Sequence, residues 1–199
     1  VIHQQGNVEK ETSYQDYSGS ISVAENTPVL GNLQDAKIVI VEFTDFQCPY
    51  CAIAPTQIIE ILNENTDTVL IHKDYPFVFH TDARLAAIAG KCAFRQDKFW
   101  EYAEQLFLNQ ENLKLDNLQK IASGLGLDSN KFNVCLNDMQ MDDKVQLDLD
   151  EGIANKIDGT PMYLVGQFTR EGQSLKIIGY RSSLSDLETV LSILRQKNE

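Results

Sequence analysis

The chain has 199 residues, of which 43% are hydrophobic and 23% charged, a composition typical of globular proteins with a sizeable core. Its 29 acidic and 17 basic residues give a net charge of −12, which argues against nucleic-acid binding because that function needs a basic face. No apolar run approaches the about 18 residues needed to span a bilayer. The first residue is Val rather than Met, so we expect a processed or truncated chain that a signal peptide or membrane anchor could have preceded.

Residues 1–27 are predicted to form an N-terminal arm or tether. Residues 1–20 are polar and show no periodicity, and only residues 21–23 have the composition of a short edge strand. Turn-forming residues follow at Pro28 and Gly31, so the folded part is expected to begin near residue 28.

Residues 28–80 carry the pattern of a strand–helix–strand unit. The apolar run 38–43 is typical of a central strand covered on both faces, although Glu42 interrupts it. The sequence CPYC (48–51) follows that strand at once, and residues 68–77 are predicted to form the next strand. The two cysteines are therefore expected where a strand gives way to a helix.

The helix of this unit is predicted from two prolines and an apolar pattern. Pro49 suits the first turn of a helix, because its missing N–H is not needed there. Residues 54–65 can continue the helix, with a kink or break expected at Pro55.

Residues 81–156 are predicted to be an all-helical insertion, and residues 157–199 to complete the first domain. Two strands, 162–165 and 175–180, precede a last helix there. Apolar residues of the insertion recur at helical spacing, on faces that include Leu85, Ile88, Cys92, Trp100, Ala103, Phe107, Leu118, Ala122, Phe132 and Cys135. The predicted fold is α/β, in the order βαβ…ββα around a mixed central sheet, with the helices inserted between the halves.

Two thiols separated by two residues are compatible with a structural disulfide, part of a zinc site or a redox centre. A closed zinc site needs four ligands, and His3, His72 and His80 do not have the spacing that would supply the rest. A cysteine at a helix start is expected to be acidic, because unpaired N–H groups stabilise its thiolate, the nucleophile of disulfide exchange. Cys48 would then attack, and Cys51, one turn deeper, would resolve the mixed disulfide.

Cys92 and Cys135 both lie on apolar faces of predicted insertion helices. Their separation allows a structural disulfide between packed helices. The alternative is two free buried thiols, because cysteine packs as a small hydrophobic residue. A disulfide would indicate a compartment outside the reducing cytosol.

The order of elements resembles the DsbA-like thiol–disulfide oxidoreductases, which have a thioredoxin fold with a helical insertion. Three further stretches support the resemblance, which covers roughly residues 28–196: VLGNLQDAKIVIVEFTDFQCPYCA, AAIAGKCAFRQDKFWEYAEQLF and GTPMYLV. Glutaredoxins also carry Cys-Pro-Tyr-Cys, but they lack the long helical insertion and the DFQCPYC context.

The resemblance implies roles for several residues. Thr160 and Pro161 match the family's proline loop, whose X–Pro bond is cis and which binds substrate beside the nucleophilic cysteine. Glu42 matches a buried acid that could take the proton of Cys51, although a water-facing Glu at a strand end is the alternative. Pro49 and Tyr50 lie between the cysteines, where the best-known periplasmic members have Pro-His; they would contact substrate and tune the redox potential.

Two further polar residues lie near this region in the sequence. Asp45 is expected on an exposed turn. His80 could line the cleft, but a surface or packing role is the stronger expectation.

The resemblance also implies a function. We expect an extracytoplasmic oxidase, periplasmic or on the cell-surface side, that introduces disulfides into reduced or misfolded proteins and works as a monomer. A membrane partner of the DsbB or vitamin K epoxide reductase-like type would reoxidise it, with no bound cofactor, metal or nucleic acid. A disulfide reductase or isomerase is the alternative, although isomerases of this group usually add a dimerisation domain. A metal-binding module is a further alternative.

Overall fold

A computed structural model describes residues 14–25 and 27–197. Six strands form one mixed sheet in the order β1-β6-β5-β3-β4-β2, in which only β3 and β4 are parallel. The strands are β1 (Gln15–Ser22), β2 (Val29–Leu30), β3 (Ile38–Thr44), β4 (Thr68–Asp74), β5 (Met162–Glu171) and β6 (Ser174–Ser182). This is the βαβ…ββα order around a mixed sheet that the sequence predicts.

Seven α-helices surround the sheet in the described part of the chain, and a 3-10 turn at Leu184–Asp186 precedes the last of them. None of them is both long and apolar enough to cross a membrane. The helices are α1 (Ala54–Glu64), α2 (Ala83–Phe94), α3 (Phe99–Leu108), α4 (Leu115–Gly124), α5 (Ser129–Leu136), α6 (Met139–Ala154) and α7 (Leu187–Gln196). Helices α2–α6 follow one another between β4 and β5, and the division of the chain into two domains stays a prediction.

Strands β3 and β4 form the centre of the molecule, and every residue in both is buried. One face of β3 packs Ile38 and Ile40 against α1 and α7, and the other packs Val41 and Phe43 into a second apolar cluster. A third cluster joins α2–α6 to Phe46, just after β3. The end of β3 is therefore fixed from several directions.

Helix α1 begins later than the sequence suggests. Residues 49–53 form turns, and α1 starts at Ala54 with Pro55 in its first turn. The expectation of a helix beginning at Pro49 is therefore wrong, and Pro55 neither kinks nor breaks a helix, because it lies in the first turn of α1. Proline in a first turn lacks only an N–H that the helix does not use, so Pro55 marks the true start.

Part of the predicted arm is a strand, which is longer than the short edge strand expected at residues 21–23. Residues 15–22 form strand β1, which pairs antiparallel with β6 from Gln15 opposite Arg181 to Ser22 opposite Ser174. An edge strand needs little apolar sequence, and here Ile21 alone is fully buried while the Tyr17 hydroxyl donates to Asn155 Oδ1 at 2.7 Å. Residues 1–13 lie outside the described part of the chain.

A cluster of four buried charges and one half-buried glutamate, which we call the charge seam (Lys73, Asp74, Lys91, Asp148 and Glu151), joins the sheet to the helices. Lys73 Nζ lies 3.0 Å from Asp148 Oδ1 and 2.8 Å from Glu151 Oε2, and Lys91 Nζ lies 2.9 Å from Asp74 Oδ2. Burial opposes the charge of Asp74, but Lys91 and the neighbouring imidazole outweigh it and lower its pKa to about 2. The seam therefore fixes α2 and α6 against β4.

Candidate active site

The two cysteines of the CPYC sequence lie in the turns between β3 and α1. The backbone N–H of Cys48 donates to the Asp45 carbonyl at 3.0 Å, and the N–H of Cys51 donates to the Cys48 carbonyl at 3.1 Å. Both are free thiols, and Cys48 is 6% exposed whereas Cys51 is 0% exposed. The structure therefore presents a dithiol in which Cys48 is the accessible member.

The surroundings of Cys48 favour its thiolate. A hydrogen bond from the thiol of Cys51 has the largest effect, and the side chain of Thr160 and the N–H groups of Cys51 and Tyr50 add to it. Burial opposes the charge, but these donors outweigh it and lower the pKa of Cys48 from 9.0 to about 5. Because α1 starts only at Ala54, the backbone donors here belong to the turn rather than to the helix end that the sequence suggested.

Cys51 has the opposite character. Burial raises its pKa well above the usual range, and its hydrogen bond to Cys48 raises it further. The side chains of Thr44 and Thr160 partly offset this. The hydroxyls of both threonines are buried and have no other hydrogen-bond partner among the described residues. Cys51 is therefore a protonated thiol that needs a base before it can attack.

The loop before β5 faces the dithiol. The peptide bond between Thr160 and Pro161 is cis. The thiol of Cys48 donates to the Thr160 carbonyl at 3.3 Å, across 112 residues of sequence. The structure thus brings the predicted proline loop to the predicted nucleophile.

Glu42 is buried in the middle of β3, so the alternative of a water-facing carboxylate is wrong. Its cross-strand neighbours are His72 in β4 and Tyr163 in β5. Burial raises the pKa of Glu42, while the neighbouring His72 and a hydrogen bond from Tyr163 partly lower it. A carboxyl group with a raised pKa can exchange a proton near neutral pH, as a general acid or base does.

Tyr163 is a residue of this site that the sequence analysis missed. Its hydroxyl donates to Glu42 Oε1 at 3.1 Å, and the residue is completely buried. Burial raises the pKa of Tyr163 most, and the charge of Glu42, the hydrogen bond to Glu42 and the charge of Cys51 raise it further. Its position two residues after Pro161, in the strand next to Glu42, is the signal that could have identified it.

Asp45 is buried, so the expectation of an exposed turn is wrong, whereas His80 packs against Phe77 and Phe79, in line with the expected packing role. Asp45 is only 1% exposed, and its carboxylate accepts hydrogen bonds from the N–H groups of Gln47 at 2.7 Å and Phe77 at 2.8 Å. His80 Nδ1 lies 2.7 Å from the same carboxylate. A buried carboxylate needs several hydrogen-bond donors, and these three contacts supply them. Asp45 therefore connects the turn after β3 to the loop after β4. Gln47 also accepts a hydrogen bond from the N–H of Asp82 at 2.6 Å.

The two residues between the cysteines are exposed. Tyr50 is 73% exposed, and Pro49 is exposed beside it. Other large apolar side chains that are at least half exposed in nearby turns and in the loop after β4 are Ile53, Val78 and Phe79. This part of the surface can therefore contact another polypeptide.

The second pair of cysteines lies in the helical region. Cys92 of α2 and Cys135 of α5 form a disulfide with an S–S distance of 2.07 Å. Both are buried in the cluster that joins α2–α6. The alternative of two free thiols therefore does not describe this structure.

Within residues 14–25 and 27–197, no three His, Cys, Asp or Glu side chains are placed to hold a metal ion.

Comparison with known proteins identifies the family. Residues 23–176 match the thioredoxin family, so the chain belongs to that family. Its fold matches alpha-DsbA1 of Wolbachia pipientis with a TM-score of 0.69 and 22% identity over 89% of this chain and 94% of that one. BdbD of Bacillus subtilis matches with a TM-score of 0.70 and 23% identity over 91% and 97% of the two chains. The predicted fold class is thus confirmed, and the predicted resemblance to the DsbA-like proteins is confirmed for the fold.

Curated relatives share a shorter stretch. A protein named Na(+)/H(+) antiporter NhaA 3, from Salinispora tropica, is 31% identical over 133 residues, which are 66% of this chain and 20% of the antiporter. A second antiporter, NhaA 1 of Salinispora arenicola, gives the same identity and coverage. The chain spans about a fifth of the length of the curated relatives it matches.

Proposed function

We propose that this chain is an oxidase that introduces disulfides into extracytoplasmic proteins through the Cys48–Cys51 pair. The observation that carries the proposal is the contrast between the two thiols, an acidic Cys48 with a pKa of about 5 and a buried Cys51 with a raised pKa. A stabilised thiolate favours the reduced form, so the disulfide form is a strong oxidant.

The reaction begins with the Cys48–Cys51 disulfide. A substrate thiolate attacks Cys48 Sγ, which forms a mixed disulfide and releases the Cys51 thiolate. A second substrate thiolate then attacks the substrate sulfur of that mixed disulfide. This forms the substrate disulfide and releases Cys48 as a thiolate, so two electrons pass from substrate to enzyme.

In this scheme Glu42 donates a proton to Cys51 in one direction of the reaction and accepts it in the other. In its protonated form it supplies the proton that the released Cys51 thiolate takes up. When Cys51 must attack, Glu42 as carboxylate removes that proton. Burial raises the pKa of Glu42, which favours the protonated form that donates to Cys51.

Four residues are proposed to bind the substrate. Pro49 and Tyr50 are exposed on the turn that carries Cys48. Thr160 and Pro161 provide the facing loop, where the Thr160 carbonyl already lies 3.3 Å from the sulfur of Cys48. An extended substrate could pair with this backbone as an added strand would.

The setting of the reaction is also part of the proposal. The Cys92–Cys135 disulfide supports an oxidising, extracytoplasmic compartment. A membrane protein of the DsbB or vitamin K epoxide reductase-like type would accept the two electrons from the monomeric enzyme. No bound cofactor is needed, because the cysteines carry the electrons.

The reduction potential of the Cys48–Cys51 couple tests the direction of electron flow. It would be measured by equilibrating the protein in glutathione buffers of defined potential. A value between about −120 and −180 mV, together with catalysed refolding of a reduced substrate, would support the oxidase. A value near about −270 mV would identify a reductase instead.

A further inference from the structure

One side chain of the helical region reaches the backbone of the active-site turn. Gln110 lies in the turn after α3, and its Nε2 donates to the carbonyl of Phe46 at 2.8 Å and to that of Cys48 at 2.8 Å. The contacts span 64 and 62 residues of sequence. One half-buried amide group thus connects the insertion to the nucleophilic residue itself.

The Cys48 carbonyl accepts hydrogen bonds from two donors. These are Gln110 Nε2 at 2.8 Å and the N–H of Cys51 at 3.1 Å. The same N–H of Cys51, with that of Tyr50, also stabilises the sulfur of Cys48. Without Gln110, the carbonyl would depend on the Cys51 N–H alone, which would draw that donor away from the sulfur.

The hydrogen bond to the Phe46 carbonyl lets Gln110 hold the start of the turn as well. Its peptide group includes the N–H of Gln47, which donates to Asp45 Oδ1 at 2.7 Å. Gln110 therefore holds one side of a peptide whose other side is held by Asp45. Among the hydrogen bonds of the described residues, Gln110 makes none to Asp45 or His80 themselves.

On these contacts we propose that Gln110 is a positioning residue, which holds the turn in the conformation in which Cys48 reacts as a thiolate. The proposal rests on the proposed function, since it concerns the same exchange reaction. Gln110 touches no reacting atom; it acts through the backbone of Cys48. In this scheme the helical insertion contributes directly to the reactivity of a cysteine in the sheet domain.

Two variants and one matched control test the proposal. Gln110→Met keeps most of the side-chain volume and removes the donor, whereas Gln110→Ala removes both. Gln119→Met is the control, because Gln119 Nε2 makes a hydrogen bond of the same 2.8 Å length to Asn133 Oδ1, between α4 and α5. The thiolate of Cys48 would be titrated by its ultraviolet absorbance and by its alkylation rate in each reduced protein.

Both Gln110 variants are expected to raise the protonation constant of Cys48 by about threefold to tenfold, as expected for the loss of one or two hydrogen bonds. The dithiol–disulfide equilibrium in glutathione buffer should shift toward the disulfide by the same factor. Gln119→Met should change neither. An unchanged titration in Gln110→Met, or a change in Gln110→Ala only, would overturn the proposal, because the second result would mean packing rather than hydrogen bonding.

This test separates the inference from the proposed function. The titration reports the thiolate of Cys48 whether or not the protein oxidises any substrate. If the unchanged protein catalyses oxidative refolding while Gln110→Met titrates like it, the inference alone fails. If the unchanged protein does not oxidise substrates but the titration shifts, the proposed function alone fails.

Discussion

The two cysteine pairs of this protein show how surroundings decide the chemistry of one side chain. Cys92 and Cys135 come from two helices, lie in an apolar cluster and form a disulfide. Cys48 and Cys51 lie in a turn rich in backbone N–H groups, beside buried hydroxyls and a buried carboxyl group. An apolar environment offers nothing that would stabilise a thiolate, whereas the turn stabilises one thiolate and disfavours the other.

Replacing cysteines of one pair at a time should show that activity depends on the pair in the turn and not on the pair between the helices. Cys48→Ala is expected to reduce both insulin reduction and oxidative refolding to the uncatalysed rates, because it removes the attacking thiolate. The double variant Cys92→Ala/Cys135→Ala should retain both activities at a temperature where it is folded. Full activity in Cys48→Ala would show that the assigned nucleophile is wrong.

Cys51→Ala separates the two members of the active pair. It should leave Cys48 able to attack a substrate disulfide but unable to resolve the product, so a mixed disulfide should accumulate. Non-reducing gels and mass spectrometry would detect that species. Sustained turnover by this variant would contradict the resolving role of Cys51.

The second pair should affect stability instead. Its disulfide closes a loop of 43 residues, which contributes roughly 4 kcal/mol by the chain-entropy relation. Denaturant unfolding of Cys92→Ala/Cys135→Ala should show a free energy of unfolding lower by about that amount. An unchanged unfolding midpoint would mean that the helices hold their packing without the bond.

The Cys48–Cys51 pair also differs from the Cys92–Cys135 pair in having a proposed general base, the buried carboxyl group of Glu42. Glu42→Gln should slow the attack of Cys51 on a preformed mixed disulfide by about 100-fold, the lower end of what a positioned general base contributes.

Tyr163→Phe should move the pH midpoint of that step upward, because the hydrogen bond from Tyr163 lowers the pKa of Glu42. Tyr102→Phe is the matched control, since Tyr102 is equally buried and donates to the Leu118 carbonyl at 2.9 Å. Equal effects of the two tyrosine variants would indicate a packing role.

The acidic thiol should also make the stability of the reduced protein depend on pH. The pKa of Cys48 is about 5 in the folded dithiol and about 8.5 in an unfolded chain, so the folded state binds its proton less tightly. This stabilisation is complete above about pH 8.5 and is lost as pH falls through about 5, whereas the disulfide form has no such titration. The free energy of unfolding of the reduced protein, relative to the oxidised one, should therefore rise between these pH values. Parallel curves for the two forms would contradict the low pKa.

The smallest change in the redox equilibrium is expected from a substitution at Tyr50, between the two cysteines. Tyr50→His should lower the pKa of Cys48 and make the couple more oxidising, because a nearby cation favours the thiolate. Since position 50 is largely exposed, solvent screens the new charge, and the change in the equilibrium constant should be less than about tenfold. The glutathione equilibrium would measure it, and an unchanged constant would show that this residue does not set the potential.

Much of this molecule could be predicted from its sequence because the signals are local. The apolar run of β3 and the periodicity of the insertion helices each identify their own element. The CPYC sequence and the Thr160–Pro161 pair point to the active site in the same way. Strand β1 is predicted only at its end, near residues 21–23, because an edge strand with a single fully buried residue, Ile21, carries almost no pattern.

The remaining features depend on partners that are distant in sequence. Asp45 resembles an ordinary turn residue until the loop after β4 supplies its donors. Lys73 and Asp148 lie 75 residues apart and meet only once α6 packs on the sheet. Polar residues of this kind look like surface residues in a sequence, since no local rule indicates which of them will be buried together.

The hydrogen bonds of Gln110 to the active-site turn have a consequence for protein engineering. A designer who grafts DFQCPYC into a thioredoxin-fold scaffold without the helical insertion transfers both cysteines and their neighbours. The graft leaves behind the amide that binds the carbonyls of Phe46 and Cys48, and the Asp82 N–H that binds Gln47. The motif is therefore not a portable module, and its redox behaviour belongs to the scaffold as much as to the heptapeptide.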